Sequence, residues 1–260
     1  MALINLDRLH FRTRPFFSNH FTAIAVVASS LLVSPLLRLA YIDYQTWYDL
    51  GPGGLPRNVL GWLIQAALRP IAKETLSTAC YSEPKTIAQA GVYSHKSFLI
   101  EEAVPVRTPP RPDVGNWTVP QRQRSEFATD ETKEHIQSHI QQLAHSSASN
   151  LRLAPSRLER HGTALFLTTQ QFPHPAAQKT KGEITHMHEI DGSLHVSLAP
   201  KDAQLVIERG WGQRHPLSGG ILYAGYVFIY APRTSEEEAV VQGILDAGVK
   251  FMVGGQPGSE

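Results

Sequence analysis

The first pattern along the chain is a run of apolar residues near the N-terminus that no charge interrupts. It extends from Phe21 to Leu37 and ends before Arg38. Because a helix needs roughly 17–25 apolar residues to cross a bilayer, the run predicts a membrane-spanning helix. A cleaved signal peptide is the rival interpretation, but the run is long for one and no small-residue cleavage site stands beside Arg38. We therefore predict a retained membrane anchor over residues 1–42.

Basic residues around this run indicate its orientation in a membrane. Arg8, Arg12 and Arg14 precede it, whereas Arg38 alone follows it closely. Since cytoplasmic flanks carry an excess of Lys and Arg, the N-terminus is predicted in the cytosol and the main domain in the lumen or outside the cell. The glycosylation pattern Asn116–Thr118 agrees with this orientation. The predicted location is a single-pass anchor in the endoplasmic reticulum or another endomembrane.

A second apolar pattern, from Val59 to Ile71, has the spacing of one helical face. It is too short to span a bilayer, and basic residues flank it on both sides. Such a helix either lies in the membrane interface or packs on the domain, and the sequence leaves both open. The proline-rich stretch over 82–120 excludes a continuous helix there. Residues 43–120 are therefore predicted to form an amphipathic helix and a connector.

Beyond residue 120, short runs with period two are interleaved with helical periods. The turn signal Asp191-Gly192 joins two of these runs into a hairpin. Hairpins mixed with helices predict an α+β fold: after the N-terminal transmembrane helix comes one globular domain with a mainly antiparallel sheet and flanking helices. This domain is assigned to 121–253, and 254–260 to a flexible tail. Strands are predicted over 152–160, 163–169, 183–190, 193–199 and 226–230, and helices over 201–209 and starting near Thr129 and Thr234.

Composition excludes several classes of function. The chain has 24 basic and 23 acidic residues, a net charge of +1, so it is not expected to bind nucleic acid through bulk charge. A charged fraction of 18% beside 42% hydrophobic residues excludes an acidic disordered chain. Cys80, the single cysteine, excludes a disulfide framework within the chain and any multi-cysteine metal site.

Three histidines stand on the strands of the predicted hairpin. A two-residue turn pairs Ile190 with Ser193, and therefore His188 with His195. Because side chains alternate along a strand, His186, His188 and His195 project from one face of the sheet. The opposite face is mostly apolar and is expected to pack on helices; its residues are Thr185, Met187, Leu194, Val196 and Leu198.

Clustered imidazoles would repel one another if they were protonated, so some of the three should be neutral near pH 7. Neutral imidazoles suit a divalent metal or general acid–base catalysis, and a structural hydrogen-bond network is a third interpretation. We expect the cluster to line an open cleft. His215, in a loop shaped by glycine and proline, could fold back over the same face.

Further residues are candidates for contacts with a substrate. Glu183 could act as a base or support the histidines, although strict alternation puts it on the opposite face. Arg233, at the end of a predicted strand, could hold an anionic group, and Arg214 lies in the loop that carries His215. Aromatic walls could come from Trp211, Tyr226 and Phe228.

The combination of these motifs resembles the fungal luciferase family. The likeness runs from the predicted anchor almost to the C-terminus and is strongest in the last third of the chain. The motifs that carry it are Asp43–Thr46, Gln121–Arg124, Thr180–His188, Leu194-His195, Gly210–Leu217 and Tyr230–Arg233.

The resemblance implies a small membrane-associated oxygenase that needs no organic cofactor. Fungal luciferases oxidise 3-hydroxyhispidin, an enolic styryl-pyrone, with O2 as co-substrate; a peroxidic intermediate loses CO2 and leaves an excited product that emits green light. The partners it implies are a lipid bilayer and a small aromatic pyrone-like substrate, with no nucleic acid. The histidines singled out above are compatible with this reaction, so the predicted catalytic residues are His186, His188, His195 and His215, with a histidine as general base.

Two other interpretations stay open. Luciferase-domain proteins of a non-luminous type also exist, so the chain could be a hydrolase or oxygenase with a divalent metal on His186, His188 and His195. It could also be a non-enzymatic module that binds a small ligand or a lipid surface. The sequence decides neither the natural substrate nor the oligomeric state.

Overall fold

The structure, a computed structural model, describes most of the chain, namely residues 16–147, 149–169 and 171–254. Arg8, Arg12 and Arg14, on which the predicted orientation depends, lie outside the described residues. Residues 255–260 of the predicted tail lie outside them as well. The chain divides into two compact units, Met1–Thr46 and Trp47–Glu260, and the predicted boundary at residue 120 stays a prediction.

The first unit contains most of helix α1, Phe16–Asp49. Its apolar side chains are exposed, with Phe21 at 72% and Leu31 at 70%. Within the described ranges, α1 is the one helix that is long and apolar enough to cross a membrane, judged by length and composition. A signal sequence near an N-terminus has the same properties, so the retained anchor stays a proposal.

The second unit holds the other helices and the strands of the described chain. Its helices are α2 (Val59–Leu68), α3 (Pro84–Ala88), α4 (Asp130–Ser146), α5 (Pro175–Lys179), α6 (Pro200–Glu208) and α7 (Ser235–Val253). Its strands are β1 (Leu151–Pro155), β2 (Thr163–Leu167), β3 (Glu183–Met187), β4 (Leu194–Ser197), β5 (Gly212–Arg214) and β6 (Tyr226–Ile229). The predicted caps are confirmed, since the side chains of Thr129 and Thr234 accept hydrogen bonds in the first turns of α4 and α7.

The six strands form one sheet in the order β1-β2-β3-β4-β6-β5, and every neighbouring pair is antiparallel. The predicted α+β class is therefore confirmed. The β3–β4 hairpin lies in the middle of the sheet, so both of its strands are hydrogen-bonded on two sides. Strand β5 was not predicted, because three residues are too few to show a period.

One face of the sheet packs against α7, as the apolar face of the hairpin predicts. Leu194, Val196 and Leu198 are fully buried there. Gly248 of α7 lies directly on β4, because a Cβ at this position would stand 2.6 Å from Val196 Cγ1. This close packing leaves the opposite face of the hairpin for chemistry.

Helix α2 confirms the predicted helical period and shows where its two faces lie. Gly61 and Gln65 are buried, and the Gln65 carbonyl accepts a hydrogen bond from Thr118 Oγ1 at 2.9 Å. The apolar side chains of the other face are exposed; they are Val59, Leu60, Leu63 and Ile64. The helix therefore packs on its own unit through a narrow stripe, Gly61 and Gln65, and leaves its apolar face uncovered.

The register of the central hairpin differs from the prediction by two residues. His186 pairs with His195, whereas a two-residue turn predicts His188 opposite His195. The backbone N–H of His188 donates to the carbonyl of Ser193 at 2.8 Å, so the connection spans residues 189–192. A shift of two residues keeps each side chain on its predicted face, which is why the predicted faces hold although the pairing is wrong.

The side chain of Asp191 explains the longer connection. It is fully buried and accepts backbone hydrogen bonds from Ser193 at 2.9 Å and from Gln123 at 2.8 Å. The predicted two-residue turn would leave Asp191 exposed to solvent at the tip of the hairpin. Instead the loop folds inward, because the carboxylate satisfies buried backbone donors.

Strand β1 ends at Pro155, five residues earlier than predicted. The chain turns there because the Glu183 carboxylate accepts hydrogen bonds from Ser156 Oγ, Arg157 N and Leu158 N. These three donors lie on consecutive residues and wrap around one side chain of β3, which a continuous strand does not allow.

Candidate active site

The three hairpin histidines lie together on one face of the sheet, as predicted. Their ring centroids are 5.2 Å apart for His186 and His188, 5.3 Å for His186 and His195, and 5.0 Å for His188 and His195. Strand alternation carries His186 and His195 to this face as a directly opposed pair. His188 follows at the start of the hairpin connection.

Glu183 joins the cluster, which corrects the expectation from strict alternation. The register between β2 and β3 shifts between Leu165 and Phe166, so that Thr185 faces Leu165 and Glu183 faces Phe166. The extra residue forms a β-bulge, which re-aims the side chains beyond it. Glu183 Oε1 consequently lies 2.7 Å from Nδ1 of His186.

The carboxylate of Glu183 is buried and stabilised in its charged form. Burial raises the pKa of Glu183, but hydrogen bonds from His186, Ser156 and Arg157 outweigh it and bring the pKa below its ordinary value. An ionised Glu183 only accepts, so His186 donates its Nδ1 proton to it. In the neutral imidazole, Nε2 of His186 then carries a lone pair.

A second carboxylate fixes the tautomer of His188 through a hydroxyl. Ser193 Oγ donates to Asp191 Oδ1 at 2.6 Å, and Nδ1 of His188 lies 2.8 Å from the same Oγ. Because the single hydroxyl proton is used on Asp191, His188 must donate from Nδ1. Its Nε2 is then a lone pair as well.

Three ring nitrogens at this point of the fold have no hydrogen-bond partner among the described residues. Nε2 of His186, Nε2 of His188 and Nδ1 of His195 are buried and accept or donate no hydrogen bond among the described residues. One ring nitrogen from each of the three histidines lies within 4.8 Å of those of the other two. Buried polar atoms are rarely left unpaired, so this point is where a proton, an ion or a substrate atom would bind.

His215 and two aromatic side chains complete the cluster. His215 lies 5.3 Å from His195 between ring centroids, as predicted from its loop. Tyr226 stacks on His195 at 4.7 Å and Phe228 stacks on His188 at 5.8 Å. The two aromatic residues reach this face because they alternate along β6, next to β4.

The cluster is buried, so the expected open cleft is wrong. His186, His188 and His195 are only 1–3% exposed. Burial, with the charge of Arg122 and neighbouring imidazoles, brings the pKa of His188 well below its ordinary value. Burial and the nearby His215 and His186 do the same to the pKa of His195, and burial lowers the pKa of His215 to about 3. These three imidazoles are therefore neutral at pH 7.

Two small cavities border the cluster. One, of about 100 Å³, is lined by His188, Arg122 and Glu159 among others. The second, of about 150 Å³, is lined by His195 and His215 and again by Glu159. Segment 51–55 borders both, through Pro52 in the first and Gly54 and Leu55 in the second.

Sequence reasoning did not identify Arg122 and Glu159 as site residues. Both are buried, and they form an ion pair through Arg122 Nη2 and Glu159 Oε1. Arg122 stands in the motif Gln121–Arg124, which belongs to the family resemblance, and that motif was the available signal. No local pattern marks Glu159, which lies in the turn after β1.

The other predicted substrate contacts have structural partners. Trp211 lies in the hydrophobic core, where its Nε1 donates to the Pro105 carbonyl at 2.6 Å. Arg214 is buried and donates to the Ser218 carbonyl at 2.9 Å. Arg233 pairs with the carboxylates of Glu126 and Glu237. The described contacts of these three side chains are with residues other than the histidines, so their role in binding stays a prediction.

Comparison with known proteins shows similarity to luciferases, both in a family model and in individual proteins. The Luciferase domain family matches residues 181–248, which include the hairpin and His215. The chain is 34% identical over 248 residues to a luciferase of Armillaria mellea, covering 89% of this chain and 87% of that protein. It is 32% identical over 241 residues to a luciferase of Neonothopanus nambi, covering 87% of this chain and 85% of that protein. No solved structure matches the chain significantly.

Proposed function

Because the chain belongs to the fungal luciferase family, we propose that it is a membrane-associated oxygenase that oxidises an enolic pyrone of the 3-hydroxyhispidin type with O2. The single observation that carries the proposal is the buried cluster of His186, His188, His195 and His215, in which two Nε2 lone pairs are oriented by carboxylates. No organic cofactor is part of the proposal.

His186 is the proposed general base. An enolic pyrone must lose its hydroxyl proton before the electron-rich ring can react with O2, and the free Nε2 lone pair of His186 can accept that proton. The imidazolium that forms keeps its hydrogen bond to Glu183, 2.7 Å away, whose charge stabilises it. A base in this position typically contributes roughly 10²–10⁴-fold to the rate.

His215 is a proposed hydrogen-bond donor. The backbone N–H of Leu217 donates to Nδ1 of His215 at 3.0 Å, so the neutral ring carries its proton on Nε2. This ring borders the same cavity as His195. It would donate to the enolate or peroxide oxygen, a role that fixed donors fill well in water-excluded sites.

The burial of the cluster suits the later steps of the proposed reaction. Addition of O2 gives a peroxide that loses CO2 and leaves an excited product. Water would hydrolyse the peroxide and quench the excited product. The two cavities, about 100 and 150 Å³, are smaller than the roughly 300–1,000 Å³ of usual ligand pockets. We therefore propose that a styryl-pyrone binds with a movement of segment 51–55, which borders both cavities.

A membrane location fits the proposed substrate. An amphipathic aromatic pyrone partitions into lipid, and α1 is long and apolar enough to hold the chain there. The exposed apolar face of α2 lies about ten residues further along the chain. Its proposed position is the membrane interface, where basic flanks such as Arg57 and Arg69 meet lipid headgroups.

A second candidate, a metal-dependent oxygenase or hydrolase, is favoured by the three unpartnered nitrogens of His186, His188 and His195. Three neutral imidazoles are a common donor set for zinc or iron, and carboxylates that orient the far nitrogens, as here, are typical of metal sites. The ligand atoms that the three histidines offer lie up to 4.8 Å apart, which exceeds the roughly 3.3 Å between ligands of a tetrahedral zinc site. Ring rotation would have to close that gap.

Metal analysis separates the two candidates. The full chain, purified in detergent without an affinity tag of histidines, is assayed for transition metals together with a His188→Ala variant. A stoichiometric metal that is lost in the variant favours the metal-dependent enzyme. A metal-free protein that still turns over supports the histidine base.

The function itself is tested by adding 3-hydroxyhispidin to membranes that contain the chain and recording oxygen uptake and light. Oxygen uptake that depends on the chain supports the oxygenase, and light identifies a luminous member. If neither oxygen uptake with a panel of pyrones nor hydrolysis of a panel of esters occurs, the non-enzymatic interpretation replaces the proposal.

A further inference from the structure

Arg122 places a permanent positive charge beside the histidine cluster. Its side chain is only 5% exposed, and it lines the same cavity as His188. Burial brings the pKa of Arg122 down to about 10, so the guanidinium is still charged at neutral pH. Buried charges are found where they are paired or functionally used.

Part of the hydrogen-bonding capacity of Arg122 is free. Nη1 donates to the Gln121 carbonyl at 3.0 Å, and Nη2 donates to the Pro52 carbonyl at 2.8 Å and to Glu159. Nε is buried and has no hydrogen-bond partner among the described residues. A guanidinium with an unused N–H at the wall of a cavity can donate a hydrogen bond to an anionic oxygen.

Glu159 connects this cation to the proposed base. Its Oε1 pairs with Arg122, and its Oε2 lies 3.9 Å from Nε2 of His186. That nitrogen is the one on which the enol proton would arrive. Glu159 also lines both cavities, so it stands between the two places where a substrate could bind.

We propose that Arg122 binds the enolate oxygen of the substrate, and that Glu159 is a positioning residue that holds the protonated His186. The inference rests on the proposed function. In the step concerned, the O–H bond of the enol breaks and an N–H bond forms at Nε2 of His186, while the electron pair stays on the oxygen. The positive charge of Arg122 then lies beside the enolate, and the negative charge of Glu159 lies beside the protonated His186.

The binding test uses an ionisable 3-hydroxy-pyrone and its O-methyl ether, titrated without oxygen into the detergent-purified full chain. Arg122→Gln should weaken binding of the ionisable pyrone by about 10–100-fold, the worth of a charge-assisted hydrogen bond, and binding of the ether by less than about threefold. Arg124→Gln is the matched control, because Arg124 is two residues away, 42% exposed, and paired with Asp113.

Rescue separates binding from folding. Millimolar methylguanidinium should restore preference for the ionisable pyrone in Arg122→Ala, and Arg122→Lys should keep part of it. Equal weakening of both pyrones, or of neither, by Arg122→Gln would overturn the proposal for Arg122. These binding measurements need no turnover. The proposal for Arg122 can therefore be overturned while the wild type still takes up oxygen, and it can hold while the wild type takes up none.

The role of Glu159 is tested by measuring whether its replacement changes kcat, KM or both. Glu159→Gln should lower kcat for 3-hydroxyhispidin at least tenfold with KM changed less than threefold, because the proposed role of the residue is to stabilise the protonated base and not to bind the substrate. Retained binding of the ether shows that the variant is folded. An unchanged kcat, or a loss confined to KM, would overturn the role of Glu159.

Discussion

Nδ1 of His186 lies 2.7 Å from Oε1 of Glu183, although the two residues are three apart on one strand and regular alternation would put them on opposite faces. The β-bulge beside Phe166 brings them to the same face. The hydrogen bond fixes the imidazole tautomer and leaves Nε2 as the acceptor. An irregularity in the sheet therefore sets the protonation chemistry of the site.

Replacement of Glu183 by Gln should lower turnover by roughly 10²–10⁴-fold, the usual contribution of a correctly protonated base. The amide can donate to Nδ1 of His186, which would put the ring proton on Nε2 and remove the acceptor. The measurement is oxygen uptake per folded molecule, with Glu102→Gln, an exposed residue, as the control. Undiminished turnover in Glu183→Gln would show that His186 is not the base.

The buried neutral histidines should make the metal-free protein sensitive to mild acid. The pKa of His215 is about 3 in the fold and about 6.5 in the unfolded chain. Below pH 6.5 the unfolded chain therefore binds the extra proton, so stability falls as pH decreases from 6.5 towards 3. Each such histidine contributes a slope of up to about 1.4 kcal/mol per pH unit.

This slope is measured from denaturation midpoints between pH 7 and pH 5 in the presence of a chelator. His215→Gln should reduce the slope by about one histidine's share, whereas His145→Gln, at the exposed end of α4, should not change it. A slope that is the same in wild type and His215→Gln would mean that His215 is protonated in the folded protein.

Close packing of α7 on β4 gives a prediction about stability. Gly248→Ala places a Cβ 2.6 Å from Val196 Cγ1 and 3.2 Å from the Ser197 carbonyl, so it should cost about 1–3 kcal/mol of unfolding free energy, as overpacking does. A Cβ added at Gly243, on the same helix, would meet no atom within 4 Å. Gly243→Ala should therefore stabilise by up to about 1 kcal/mol, and equal effects of the two changes in urea melts would contradict this packing.

The sequence predicted the faces of the hairpin but not all of the site. Period-two alternation is a local property, so it placed His186 and His195 together even though the turn length was wrong. Glu183 was misplaced because a bulge depends on the partner strand. Arg122 and Glu159, 37 residues apart, meet only through tertiary folding, and no local period marks either of them.

The membrane anchor can be tested by extraction. Alkaline carbonate should leave the full chain in the membrane pellet, and replacing Val27 and Leu31 with Arg should release it, since each charge at the centre of a span costs roughly 2.5–3.5 kcal/mol. Val92→Arg, at an exposed site of the second unit, is the control and should stay in the pellet. Release of the wild type would show that α1 is no anchor.

Replacements on the two faces of the β3–β4 hairpin should have different effects, on activity for one face and on stability for the other. His186→Gln and His195→Gln keep a polar side chain of similar size, so both should lower turnover with a small change in unfolding free energy. For His186→Gln the loss should be roughly 10²–10⁴-fold, the usual contribution of a general base. Val196→Ala empties part of the face packed on α7, and core truncations cost roughly 2–5 kcal/mol. It should keep normal turnover per folded molecule.

The comparison requires oxygen uptake with 3-hydroxyhispidin and a urea melt for each variant. Because the histidines are buried, glutamine is a better probe than alanine, which would leave a cavity of its own. If the histidine variants unfold as easily as Val196→Ala and keep their turnover, the cluster is a structural network. The unpaired nitrogens argue against that outcome, since a network that served stability alone would pair them.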